Sequence, residues 1–312
     1  MERYDRERFL LADKMPVWLV QNMEDYSEIF ERQLARCGVT YFDFYLFHAM
    51  NKTRVEETEK TGGFAFVQRM KTEGRIRHIG FSFHDTAEAL EEILKNHPEM
   101  EFVQLQINYY DWESENVQSR KCYEVAQKYG VPVIVMEPVK GGTLANMTGR
   151  PAEILKELSP EASFASYAIR YAASLENVML VLSGMSDEQQ LVDNTAYMRE
   201  FRPLDERERA AIARVVEELA AMPTIACTKC RYCVEGCPKK IRIPDIFGVY
   251  NMGVQFGVTD VTRGSYRCQI DRSGKAGDCI KCGKCEAQCP QHLEIRKLLE
   301  EAADIYEKEM HL

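Results

Sequence analysis

Along the first 222 residues, short and nearly continuous apolar runs rich in β-branched and aromatic side chains alternate with longer stretches of helical spacing. The runs predict strands over 9–13, 42–47, 76–81, 102–107, 132–136 and 178–182. The amphipathic stretches predict helices over 26–36, 87–96, 116–129 and 188–199, with a closing helix over 205–222. Gly130 reads as a helix stop. Spacings of roughly 30 residues between strands suit βαβ units, because parallel neighbours need a crossover helix. Strands that are apolar throughout, rather than alternating, are expected where helices cover both faces. The pattern predicts an α/β fold with a parallel sheet.

Two parallel architectures compete. No glycine-rich dinucleotide fingerprint follows any predicted strand, which disfavours the doubly wound sheet. Polar residues stand instead at the C-terminal end of nearly every strand: Lys14, His48, Ser82 with His84, Gln104 with Asn108, Glu137, and Ser183 with Gly184. In a (β/α)8 barrel these ends meet at one mouth, where the chemistry sits. The barrel is the favoured expectation.

The composition narrows the function. Across 312 residues, 45% are hydrophobic and 29% charged, enough for a large core. A net charge of −9 argues against nucleic acid or an anionic membrane as partner. No apolar run approaches the ~18 residues of a membrane span, and the charged N-terminus resembles neither signal nor transit peptide. A cytoplasmic protein is expected. Eleven cysteines are then informative, because clustered thiols in a reducing compartment read as metal or redox groups. Nine follow residue 226, which predicts a barrel domain over 1–222 and a cysteine-rich domain over 223–312.

Two runs carry this signal. Cys227, Cys230, Cys233 and Cys237 precede Pro238, and Cys279, Cys282, Cys285 and Cys289 precede Pro290. Both match C-x2-C-x2-C-x3-C-P, the bacterial ferredoxin pattern in which the fourth cysteine ligates the other cluster. Cys227, Cys230, Cys233 and Cys289 are therefore expected on one [4Fe–4S] cluster, and Cys279, Cys282, Cys285 and Cys237 on a second. Structural zinc favours separated pairs rather than triplets, and disulfides suit another compartment. Cys37 and Cys122 read as small buried hydrophobes and Cys268 as a spare thiol. Lys239, Lys240 and Arg242 either steer an acidic redox partner or form a solvated loop. A last helix is predicted over 293–310.

The segments LLADKMP, DFYLFHAM, GRIRHIGFSFHD, VIVMEPVKGG and VLSGMSDEQQLVDN, in this order, resemble the aldo/keto reductases, in particular the branch with a C-terminal ferredoxin-type domain. The resemblance implies a (β/α)8 barrel, a small ferredoxin-like α+β domain, and hydride transfer between NAD(P)H and a carbonyl or alcohol. It implies that Lys14 is the lysine that lowers the pKa of a general-acid tyrosine, and His48 the histidine that orients the carbonyl. The tyrosine and its supporting aspartate come from the family's second strand, and this sequence begins at the third, so a barrel lacking two strands is expected. Tyr109 and Tyr110 are the nearest substitute phenols. Ser82 and Gln104 match nicotinamide contacts, although Phe83 replaces an asparagine. Gly141 and Gly142 match a pyrophosphate-side loop, and Gly184, Gln190 and Asn194 match the adenosine end. SGMSDEQQ offers no cation to a 2′-phosphate, which favours NADH. His84 and Asp85 stand where substrate would enter, and His78 is structural. The expected partners are a small carbonyl compound and a redox protein. The competing expectation is an electron carrier or interaction protein whose barrel is catalytically dead.

Overall fold

The computed structural model describes residues 4–115, 117–227, 229–289 and 291–308. The predicted helix start at Asn116, Thr228 and Pro290 of the cysteine runs, and the predicted helix end at Met310 lie outside the described residues. The chain forms two compact units, 1–140 with 165–205, and 141–164 with 206–312.

The first unit is built on six strands: β1 (Ala12–Met15), β2 (Phe42–Met50), β3 (Ile76–Phe83), β4 (Phe102–Gln106), β5 (Val133–Met136) and β6 (Val178–Val181). They lie side by side in chain order, and every pair is parallel. Sequential winding is that of a (β/α)8 barrel, whereas a doubly wound sheet reverses direction at a switch point. Among the described residues β1 and β6 are edges, so the sheet is a barrel lacking strands.

Helices α1 (Met23–Cys37), α2 (Lys52–Lys60), α3 (Gly63–Thr72), α4 (Ala87–Asn96) and α5 (Ser119–Lys128) make the crossovers of the first unit. Their ends follow local chemistry. Asn22 and Asp25 close a capping box at the start of α1, and Gly38 ends it at φ +65°. The Thr86 side chain caps α4 through the Ala89 N–H. The core lies between these helices and β2–β5, through Phe30, Phe42, Phe66, Phe81, Val103 and Val135.

The edges differ from the middle. The apolar run 9–13 predicts a strand from residue 9, but β1 begins at Ala12. Residues 6–8 form a short 3-10 turn, Leu10 is exposed, and Arg6 leaves the ladder to reach Asp43 and the Tyr41 carbonyl. On β6, Met179 and Leu180 are exposed.

In the remaining chain, α6 (Gly149–Leu158) belongs to the second unit, and α7 (Phe164–Ala173) with α8 (Glu188–Arg199) to the first. The second unit continues with α9 (Glu206–Ala221), α10 (Tyr232–Glu235), α11 (Ile243–Phe256), α12 (Asp260–Ile270), α13 (Lys284–Ala287) and α14 (Ile295–Tyr306). Its β structure among the described residues is one bridge, between Ile241 and Gly274. Ile243, Phe247, Tyr266, Ile295 and Tyr306 form its core against Cys233 and Cys285.

Candidate functional site

At the strand ends of the first unit, the sequence brings several polar groups into one place. Lys14 on β1 is half-buried, and burial draws its pKa down. His48 on β2 has its pKa lowered by burial first, then by Lys14, His84 and Arg54. The same two cations and burial lower His84, against a smaller opposing pull from Glu137. The Trp18 ring lies 5.0 Å from His48, and the Arg54 guanidinium 5.3 Å from Trp18.

Backbone strain marks the same spot. Ala49, directly after His48, holds φ +56°, a region L-residues avoid unless their surroundings enforce it. Its N–H donates to the buried Ser82 hydroxyl at 2.7 Å, and its carbonyl accepts from Arg54 at 2.5 Å. Ser82 on β3 stands in register with Gln104 on β4. The Gln104 amide donates to the Met136 sulfur at 3.1 Å.

Beyond β4 lies a network that sequence reasoning missed apart from Asn108. Buried Asp111 accepts from Lys140 Nζ at 2.7 and 2.8 Å, from Asn108 at 2.9 Å and from Gln106 at 3.1 Å. Lys140 also lies 5.1 Å from the Tyr110 ring centroid. Tyr109 is a different case: burial pushes its phenol up and its ring packs edge-on against Tyr171. That is the reverse of the tuning a general acid needs.

The other predicted contacts fall elsewhere. Gly184 is exposed, with open space where a Cβ would project. Gln190 accepts from the Ser186 N–H, while Asn194 donates to Ser183 and accepts from Tyr197, so both serve as local staples. Gly141 and Gly142, at φ +63° and +91°, open the second unit. His78 is half-exposed beside Glu101 at 3.6 Å, and Asp85 accepts from the Lys52 N–H.

In the second unit the two cysteine runs fold alike. Every ligand position recurs 52 residues later, and so does the backbone around it. Left-handed residues stand at Lys229, Arg231 and Lys240 in the first run, and at Lys281, Gly283 and His292 in the second. Short helices α10 and α13 follow Arg231 and Gly283. The pairs Ile241–Ile243 and Leu293–Ile295 repeat the same turn before α11 and α14. The repeat therefore extends past the cysteines.

No disulfide joins any of the eleven cysteines. Cys227, Cys230, Cys233 and Cys289 line one small cavity, and Cys237, Cys279, Cys282 and Cys285 line another. Each cavity thus takes three thiols from one run and the fourth from the other. The thiols ring a space rather than meeting at a point. Among the described residues no His, Cys, Asp or Glu group converges closely enough for a single ion. Burial pushes Cys233 up to about 11, with further repulsion from Cys227, Cys230 and Cys285. Deprotonated together, the four sulfurs of each set would repel one another, and a cationic centre between them would offset that repulsion.

Fold and geometry define an α/β protein of reductase type joined to an iron–sulfur module. A model of the aldo/keto reductase family matches residues 2–217, and one of the 4Fe-4S dicluster domain matches residues 226–294. The chain belongs to the aldo/keto reductase family. Solved structures agree on the fold. An aldo-keto reductase from Bacillus halodurans in its holo form is 23% identical, covering 67% of this chain and 73% of its own, with a TM-score of 0.55. One from Klebsiella pneumoniae in complex with NADPH is 20% identical over 68% of this chain and 71% of its own, at 0.52. One from Brucella melitensis is 19% identical over 68% and 75%, at 0.53. No curated protein matches the chain. Among the described residues no helix is long and apolar enough to cross a membrane.

Proposed function

We propose that the first unit interconverts a small carbonyl compound and its alcohol with NAD(P)H, and that the second holds two [4Fe–4S] clusters that move single electrons. The observation that carries this reading is the gathering of Lys14, His48, Ser82 and Gln104 at the ends of four successive strands. A nicotinamide held there would supply hydride chemistry at the carbonyl carbon. The carbonyl oxygen then needs a hydrogen-bond donor and a proton. His48, its pKa lowered, is a neutral imidazole at neutral pH and donates an N–H to that oxygen. Lys14, its pKa drawn down by burial, would stand beside a general-acid tyrosine and favour its phenolate, the role the resemblance implies for it.

Ser82 spends its oxygen on Ala49 and keeps its O–H to donate, which fits a carboxamide; Gln104 stands beside it in register. At the adenosine end Gln190 and Asn194 are engaged locally, which leaves the open backbone at Gly184 as the approachable group. The stretch 183–190 carries no lysine or arginine, which favours NADH. Cys227, Cys230, Cys233 and Cys289 would hold one cluster, and Cys237, Cys279, Cys282 and Cys285 the other.

The buried Tyr109 phenol favours a second reading, in which the barrel is inert and the protein only carries electrons. Anaerobic protein titrated with NADH and NADPH, followed by nicotinamide fluorescence, separates the two. Saturable binding, tighter for NADH, is expected. Binding of neither cofactor, with iron intact, would overturn the reductase reading and leave the carrier.

A further inference from the structure

The internal repeat of the second unit allows its two cavities to be compared position by position, and their rims are not alike. Arg231 at the first rim corresponds to Gly283 at the second, Gln291 to Lys239 and Pro244 to Arg296, and the second rim's Lys284 has the exposed Tyr232 as its counterpart in sequence. At the first rim Arg231 is paired with Asp245 at 2.9 Å, so its charge is balanced. At the second, Arg296 is paired with Glu286 at 2.7 Å, but Lys239 and Lys284 are exposed and have no ion-pair partner among the described residues. Cys282 is exposed between them, and Ile280 beside it is 57% exposed. Residues 226–294 hold eleven lysines and arginines against seven acidic residues, in a chain of net charge −9.

From this asymmetry we infer that the rim around Cys282, with Lys239, Lys284 and Ile280, is the docking surface for a small acidic one-electron carrier protein. The inference rests on the cluster reading above. Charge on a rim is felt over about 8 Å at physiological salt, so the local cations outweigh the acidic remainder of the chain at contact distance. An exposed apolar residue inside a polar rim is how transient interfaces are built. The reaction balances as one electron passed between the carrier's centre and the cluster of Cys237, Cys279, Cys282 and Cys285, which is reduced by one as the carrier is oxidised by one, or the reverse. The first rim offers one exposed cation without an ion-pair partner among the described residues, Lys229 beside Cys227, against Lys239 and Lys284 at the second, and so attracts an acidic protein less.

The test uses the anaerobic full-length protein, with iron measured first, and an acidic [2Fe–2S] ferredoxin as probe against a basic c-type cytochrome. Calorimetry is expected to show ferredoxin binding that weakens as salt rises. Lys239→Gln with Lys284→Tyr, which installs the counterparts in sequence, is expected to weaken it at least about tenfold; Arg231→Gln should leave it unchanged. Carbodiimide cross-links in the unaltered protein are expected on Lys239 and Lys284, which keeps the test independent of any variant. Equal binding of the cytochrome, cross-links confined to other lysines, or a rim occupied by a second copy of the chain would each overturn the docking assignment. An iron-free protein would overturn the cluster reading and the docking with it, whereas an iron-replete protein that ignores the ferredoxin overturns docking alone.

Discussion

Asp43 shows how one carboxylate fixes the N-terminal edge of the sheet. Its side chain is 1% exposed and accepts from the Leu11 N–H at 2.8 Å, from Arg6 at 2.5 Å and from Arg77 at 2.8 Å. Burial alone would raise its pKa, but the backbone donor and two guanidinium groups outweigh this and hold it below the usual range. The stability it adds is therefore present above the unfolded carboxyl value of about 3.9 and lost as pH falls through the lower folded value. Asp43→Asn leaves Arg6 short of its counter-charge and should cost about 3 kcal/mol in urea unfolding at pH 7. A loss within about 0.5 kcal/mol, the range of ordinary surface changes, would refute this. His48 makes the complementary prediction. Its pKa is depressed partly by the Lys14 cation, so Lys14→Met should move the His48 titration upward in NMR, toward the ordinary value of about 6.5. An unmoved titration would mean the two side chains do not sense each other.

At the scale of elements, the sheet depends on one close approach. A Cβ at Gly80 would lie 2.4 Å from the Phe102 carbonyl oxygen, which belongs to its register partner. Gly80→Ala must push β3 from β4, and with it Ser82 from Gln104. A fall in thermal midpoint accompanied by weaker nicotinamide binding is expected; unaltered binding would contradict the link between register and site. The strands β2 to β5 were legible because most of their positions are buried and apolar, with Arg77 and His78 the exposed exception in β3. The edges were not: at β1 the apolar run 9–11 continues past the ladder, since periodicity does not reveal where a partner strand ends. Helices α2 and α3 escaped notice for other reasons. Residues 52–60 are almost wholly polar, and Gly62 with Gly63 reads as a break. Arg54 was hidden in that polar stretch. The Asp111–Lys140 pair was hidden by a separation of 29 positions that only the fold closes.

At the scale of the whole molecule, the cysteine spacing carried nearly all that the second unit revealed. It named eight thiols and grouped them, and the cavities gather the same two sets. What spacing did not convey was the repeat of flanking backbone, because several matching residues, such as Arg231 with Gly283 and Lys240 with His292, differ in chemistry and agree only in φ. Crossed ligation is the claim on which the redox reading stands, since it ties both runs into one module. It is tested most directly by EPR on anaerobically reduced Cys289→Ser, compared with Cys227→Ser and Cys279→Ser. The residual spectrum of Cys289→Ser should match that of Cys227→Ser, with the cluster of Cys279, Cys282, Cys285 and Cys237 intact. A match to Cys279→Ser instead, or two undisturbed signals, would contradict the account.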